Sequence, residues 1–147
     1  MRKDSRLSRI LHALIHLKFL ARSATSDELG KMLNTNPVVV RRTMALLKEA
    51  GYVTSSKGHS GGWCLAMDLA DITLFDIYTI VGESSLFTIG LTDEHHNCPI
   101  EMAVNSSLNE VFNEAETLML RRFKEITIQS LAAQFDEKMK TQHLVHQ

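Results

Sequence analysis

Three amphipathic helical segments in the first 50 residues, a glycine-rich hairpin directly after them, and a long helix with an apolar stripe in the second half predict a mainly α fold. Helix, helix, turn, helix, hairpin, long helix is the order of a winged helix-turn-helix with a small β-hairpin wing and a long C-terminal dimerisation helix.

Leu7, Ile10, Leu11, Leu14, Ile15 and Leu17 recur at helical spacing, so the first helix covers roughly residues 5–21. Thr25-Ser26-Asp27-Glu28 has the form of a capping box, in which Thr25 accepts from the amide of Glu28 while Glu28 reaches back. The short helix it starts runs to about Leu33. Asn34-Thr35-Asn36-Pro37 makes a turn, with Asn36 as N-cap and Pro37 in the first helical position. The third helix runs from Pro37 to Ala50, and Gly51 is a natural residue to end it. Its inward face is assigned to Val39, Val40, Thr43, Leu46, Leu47 and Ala50, which leaves Val38, Arg41, Arg42, Ala45 and Lys48 outward.

Tyr52-Val53-Thr54 and Trp63-Cys64-Leu65-Ala66 read as strands around the loop Lys57-Gly58-His59-Ser60-Gly61-Gly62, and together they form a hairpin. The loop has no Gly-Lys-Ser/Thr ending, and a strand rather than a helix follows it, so it is no nucleotide-phosphate cradle. Its glycines instead let a tight hairpin approach a partner closely. Alternation places Cys64 opposite Trp63 and Leu65, which pin the wing to the helical body; Cys64 is expected to pack as a small hydrophobe.

A fourth helix starts at the cap Thr73 and ends near Gly82, and residues 83–98 look irregular. After Pro99 comes the longest helix, to about Phe123. Its apolar positions Val104, Leu108, Val111, Ala115 and Leu118 are spaced 4, 3, 4 and 3, and Phe112 and Met119 widen the seam. One chain has few elements left to cover such a stripe, so its expected cover is a second copy. Thr127 caps a last helix over 128–138, and the tail after Lys140 is expected to fray. The chain thus divides into a winged helix-turn-helix DNA-binding domain (1–70), a linker helix and sensor loop (71–98), and a dimerisation helix with a short C-terminal helix (99–147).

With 147 residues, 44% hydrophobic and 22% charged, the chain can bury a core of its own. No segment approaches the ~18 uncharged apolar residues of a membrane span, and the charged start is no signal peptide. Two cysteines far apart make no disulfide framework, and a reducing cytoplasm is the expected location, without membrane partners. The net charge of −1 conceals an asymmetry. Residues 1–66 hold 11 Lys/Arg against 4 Asp/Glu, a balance of +7, whereas residues 67–147 hold 5 against 13, a balance of −8. A basic first half points to a polyanion as partner.

Two arginines and an exposed valine near the start of a helix suit a DNA major groove. Arg41 and Arg42 can be bidentate to guanine or grip phosphate, and Val38 can meet a thymine methyl. Thr35, Asn36 and Ser26, near helix starts, are candidate phosphate contacts, as is Lys48 on the outward face. Lys57 and His59 at the wing can reach the minor groove or the phosphates.

The stretch Leu47-Lys48-Glu49-Ala50-Gly51-Tyr52-Val53-Thr54-Ser55, followed by Gly58 and by Gly61-Gly62-Trp63-Cys64-Leu65-Ala66, closely resembles the Rrf-two family of bacterial winged-helix transcription regulators. In that family an A-G-hydrophobic-V stretch and then G-x-x-G-G-aromatic-x-L mark the recognition helix and wing. The resemblance continues through Ile72-Thr73-Leu74-Phe75-Asp76-Ile77 and Cys98-Pro99-Ile100, and covers nearly the whole chain. It implies a homodimer that binds a pseudo-palindromic operator on double-stranded DNA, usually as a repressor, with the long helix crossing its mate.

Some relatives hold an iron–sulfur cluster through three closely spaced cysteines in the loop before the long helix. Here there is one, Cys98, beside His95, His96, Asn97 and Ile100, so no cofactor is expected. Asp93, Glu94, His95, His96 and Cys98 are read as a solvated loop rather than a divalent-metal site. Cys98 itself is a redox-sensor candidate: a helix N-terminus favours the thiolate, and the adjacent histidines can add charge or donate protons. A small ligand in the dimer cleft is the other route for a signal. A cysteine-dependent enzyme using Cys98 with His95 or His96 fits less well, because all its candidates crowd into one loop. An interaction module that has lost DNA binding would also have lost its basic face, yet Arg41, Arg42, Lys48 and Lys57 remain.

Overall fold

The computed structural model describes residues 4–59, 61–82, 91–92 and 98–145, with side chains described to residue 140. Helix α1 (Arg6–Leu20) buries Ile10, Ala13, Leu14 and Leu17 and ends at Ala21 in the left-handed conformation. Helix α2 (Ser26–Leu33) begins under Thr25, whose hydroxyl accepts from the Glu28 amide at 3.1 Å. Only this half of the expected capping box is formed, because the Glu28 carboxylate pairs instead with Arg22 at 2.8 Å. That guanidinium holds the Glu28 carboxyl below its ordinary value. Helix α3 (Pro37–Glu49) starts as predicted, with Asn36 Oδ1 accepting from the Val38 amide at 2.8 Å and Pro37 in the first turn. It stops at Gly51 (φ +86), where the Gly51 amide reaches the Lys48 carbonyl and the Tyr52 amide reaches that of Leu47.

Strands β1 (Val53–Ser56) and β2 (Gly62–Leu65) pair antiparallel, from Val53 opposite Leu65 to Ser56 opposite Gly62. A single 3-10 turn (Leu69–Asp71) leads to α4 (Leu74–Val81). Here the capping box is complete: the Asp76 amide donates to Thr73 Oγ1 at 3.1 Å and the Thr73 amide to Asp76 Oδ2 at 2.9 Å. Helix α5 (Pro99–Glu125) is the longest, and α6 (Ile128–Val145) follows after a sharp break.

One core joins these elements. Ile10, Leu14, Leu29, Val40, Met44, Leu47, Val53, Ile72, Ile77 and Ile128 are each 2% exposed or less. Met44 belongs to the inner face of α3, whereas Leu46 is 40% exposed and Ala50 is exposed, contrary to the sequence assignment. At ~100° per residue, Val40, Thr43, Met44 and Leu47 make one stripe; Leu46 lies about 100° off it.

After α5 the chain returns to this core through backbone. The Leu74 amide donates to the Ile126 carbonyl at 2.9 Å and the Ile128 amide to that of Ile72 at 2.8 Å, bridging Thr73 with Thr127. Along α6, Lys18 bonds Gln129, and the rings of Phe19 and Phe135 lie 4.8 Å apart. Thr127 caps α6 as expected, but the helix continues to Val145 rather than fraying after Lys140. No glycine or proline interrupts that stretch.

Candidate nucleic-acid interface

The caps at Asn36 and Gly51 fix where α3 begins and ends, and hence which residues it presents. Val38, Arg41, Arg42, Ala45 and Lys48 are all exposed on its outer side. Neither Arg41 nor Arg42 pairs with a carboxylate among the described residues. Lys48 reaches across to β1 and donates to Ser55 Oγ at 2.7 Å, so it braces the wing beside α3 while keeping its charge exposed. Sequence reading missed Ser55, since nothing local marks a serine as the acceptor for a lysine seven residues earlier.

The wing is also fastened from the other side. Ala24, in the link between α1 and α2, bridges to β2: its amide donates to the Trp63 carbonyl at 2.9 Å and its carbonyl accepts from the Trp63 amide at 2.7 Å. The approach is so close that a Cβ on Gly62 (φ +146) would lie 2.5 Å from the Ala24 carbonyl oxygen. Trp63 and Leu65 face inward and rest on the core, as alternation predicted. The Trp63 indole N–H donates to Ser26 Oγ at 3.0 Å. Ser26, read from the sequence as a phosphate contact, is half-buried and already accepts this bond. A half-buried indole needs an acceptor, but nothing in the sequence says which residue supplies it. Cys64 does not pack: it is an exposed free thiol, because among the described residues no element covers its side of the hairpin.

Lys57 and His59 stand exposed at the wing tip. Between the wing and the start of α2 lies an open cavity of about 330 Å³ lined by Thr25, Ser26, Ser55, Lys57, Gly58 and Trp63 among others, with no acidic side chain. Asn36 is exposed and Thr35 half-buried in the turn between α2 and α3. The structure therefore gathers Arg41, Arg42, Lys48, Lys57 and His59 onto exposed positions of α3 and the adjoining wing, and turns Ser26 partly to a structural task.

The other candidates lie along α5. No residue of this helix is buried, and Val104, Val111 and Leu118 are each more than 50% exposed. Leu108, Phe112, Ala115 and Met119 are half-buried. Against the body, Tyr78 meets Phe123 edge to face at 5.9 Å and Lys124 Nζ sits 4.6 Å from the Phe75 ring centre. Cys98 is half-buried at the N-cap of α5; its carbonyl accepts from the Met102 amide at 3.0 Å, and its side chain makes no capping bond. Asp93, Glu94, His95, His96 and Asn97 lie outside the described residues. Among the described residues, no group of three or more His, Cys, Asp or Glu is placed to hold a metal ion, and no helix is long and apolar enough to cross a membrane.

Residues 4–134 match a protein family described as Rrf2, Iron-dependent Transcriptional regulator. YwnA of Bacillus subtilis, which carries the name of an HTH-type transcriptional regulator, is 33% identical over 117 residues, covering 79% of this chain and 86% of YwnA. The fold superposes on a crystal structure described as a transcriptional regulator from Lactobacillus plantarum, with a TM-score of 0.76 at 24% identity over 97% of both chains. It also superposes on IscR of T. potens, with a TM-score of 0.70 at 17% identity over 94% of this chain and 90% of that one. A helix-turn-helix with its wing braced at Ala24 and Ser55, and a family match that runs from α1 into α6, place this chain in the Rrf2 (Rrf-two) family of transcriptional regulators.

Proposed function

We propose that the protein is a sequence-specific DNA-binding regulator that acts in the cytoplasm as a homodimer, typically by repression, and is not an enzyme. The observation that carries this reading is the outer side of α3, where Arg41 and Arg42 stand exposed, without acidic partners among the described residues, beside a braced wing. In this reading Val38, Arg41 and Arg42 enter the major groove. Thr35, Asn36, Lys48, Lys57 and His59 meet phosphates or the minor groove, and the remaining donor of Ser26 serves a nearby phosphate. The apolar stripe Val104, Leu108, Val111, Phe112, Ala115, Leu118 and Met119, exposed at Val104, Val111 and Leu118, supports pairing of two copies along α5, which would set two recognition helices on two half-sites.

The signal in this reading acts at Cys98. Hydrogen peroxide oxidises the Cys98 thiol to sulfenic acid, one peroxide oxygen entering between sulfur and hydrogen and the other leaving as water, which adds a polar hydroxyl at the start of α5. A small ligand or metal in the cleft of the dimer is the alternative. No cofactor is required.

Mobility shifts with DNA from upstream of its own reading frame, run across a salt series, test the main reading. Affinity falls steeply with salt if the basic face binds phosphates. Loss of one phosphate contact in each of two protomers lowers the slope of log K against log salt by about 1.8. An arginine that reads a base instead costs about 1–3 kcal/mol and relaxes specificity at one position. If Arg41→Ala and Arg42→Ala both keep full affinity, α3 is not the reader. Cys98→Ser should bind DNA normally when reduced and lose any response to oxidant; an unchanged response removes Cys98 from the reading.

A further inference from the structure

On the side of α3 that faces α1 lies a groove of about 390 Å³, more enclosed than the cavity beside the wing. Ile10, Val39, Leu46 and Val81 supply its apolar wall, and Arg9 and Arg42 stand over it. Leu46, which belongs to no core, is one of these walls. Arg6 builds the rim: it clasps Asp4 at 2.7 Å and donates to the Val81 carbonyl at 3.2 Å, tying the start of α1 to the end of α4. Its charge is thereby answered. The Arg9 guanidinium donates to Ser5 Oγ at 3.2 Å and feels the Asp4 carboxylate only through space, and neither it nor Arg42 forms an ion pair with a carboxylate among the described residues. Thr43, the polar side chain between the walls, already gives its hydroxyl proton to the Val39 carbonyl at 2.9 Å.

Two guanidiniums with no ion-paired carboxylate among the described residues, lining an apolar groove, are complementary to one chemistry. We propose that this groove binds a small organic carboxylate with a hydrocarbon body, the carboxylate bridging Arg9 and Arg42 and the body lying against Ile10, Val39, Leu46 and Val81. A sugar or nucleotide body would bring several hydroxyls to a wall with no free hydrogen-bonding side chain, and would leave them unmet. The volume is at the small end for ligand sites. Because Arg42 also belongs to the outward set of α3, a carboxylate that holds it draws a positive charge from the DNA-binding face. Ligand and DNA then weaken each other's binding by the same factor. This regulatory half rests on the DNA-binding reading above; the binding half does not.

The test titrates the DNA-free full chain with octanoate, octanamide and acetate by calorimetry, and then repeats the mobility shifts with octanoate present. Octanoate should bind saturably, one per chain, and both the uncharged octanamide and the short acetate at least about tenfold more weakly. Arg9→Gln, outside the DNA-binding set, should weaken octanoate about tenfold and leave probe-free DNA affinity unchanged. Val81→Phe should fill the groove and block octanoate, with circular dichroism confirming that both variants fold. Equal binding of octanoate and octanamide overturns the proposal, as does octanoate binding that survives both substitutions. Octanoate binding with undiminished DNA affinity overturns the coupling. Should no DNA be bound under any condition, the DNA-binding reading falls while the calorimetry still decides the groove.

Discussion

Replacing Gly62 by Ala sets a methyl group against the point where the wing meets the α1–α2 link. The new Cβ would stand 2.5 Å from the Ala24 carbonyl oxygen and 2.7 Å from its carbon, at a φ of +146 that L side chains rarely adopt. Ordinary contact starts at 3.4 Å, so β2 or Ala24 must yield by about 0.9 Å. Ala24 is fully buried, and its own contacts resist that shift. What gives way is the bridge, whose two backbone hydrogen bonds of 2.7 and 2.9 Å hold Trp63 in place. Overpacking costs about 1–3 kcal/mol and each of the two weakened hydrogen bonds about 0.5–1.5 kcal/mol, which together give a loss of about 2–6 kcal/mol. For a chain of this size, at about 3 °C per kcal/mol, the melting temperature should fall by about 6–18 °C. Trp63 is the only tryptophan, so its emission reports on the same event and should shift to the red as the indole leaves Ser26. Gly58→Ala is the control: it has a φ of +105 but open space around the new methyl, and should cost only about 1–2 kcal/mol with no change in emission. A Gly62→Ala protein that melts within about 1 °C of the parent, with unchanged emission, would refute the close-approach reasoning.

Met44→Ala should lower the free energy of unfolding in urea by about 2–5 kcal/mol, since Met44 is fully buried at the centre of the core. Thr73→Ala removes the hydroxyl that accepts from the Asp76 amide, leaves the residue-73 amide bonded to Asp76 Oδ2, and should cost about 1 kcal/mol by the same measurement. Burial, and then the charge of His12, hold the His16 imidazole below its ordinary 6.5, so the unfolded chain takes up this proton more readily than the folded one. Stability should therefore be complete above pH 6.5 and decline as the pH falls from there through the lowered folded value. His16→Gln should flatten that decline in urea midpoints, and a decline of equal depth in the variant would assign it to other groups. Val111→Glu should convert a dimer to a monomer in sedimentation while leaving the melting of the monomer unchanged, because Val111 is 59% exposed on a single chain.

What the sequence conveyed best was what depends on neighbours in the chain. Asn36 before Pro37, Gly51 after a helical run, and Thr73 three residues ahead of Asp76 each complete their bonds within one turn, so local chemistry decides them. Thr25 and Glu28 have the same form but formed only half the box, because Arg22 offers Glu28 a full charge at close range. The inner face of α3 was misjudged at Met44 and Leu46, where a small rotation of an apolar helix exchanges core for groove and composition does not fix the angle. Ser26 and Ser55 were beyond reach for a different reason. Their partners Trp63 and Lys48 lie 37 and 7 residues away and meet them only once the wing has folded back.

The backbone bridge between Thr73 and Thr127 has a geometric consequence. It fixes the C-terminal end of α5 to the body that carries α3, with no side-chain freedom between them. Two chains joined along α5 would then behave like the arms of a drawing compass, each recognition helix at a set radius and their separation governed by the opening angle. A helix of 27 residues is about 40 Å long, so a change of about 5° in that angle moves its far end by about 3.5 Å. That is close to the ~3.4 Å rise of one nucleotide along a DNA strand. In such a dimer, a few degrees at the crossing of two helices would become a choice of one base pair in half-site spacing.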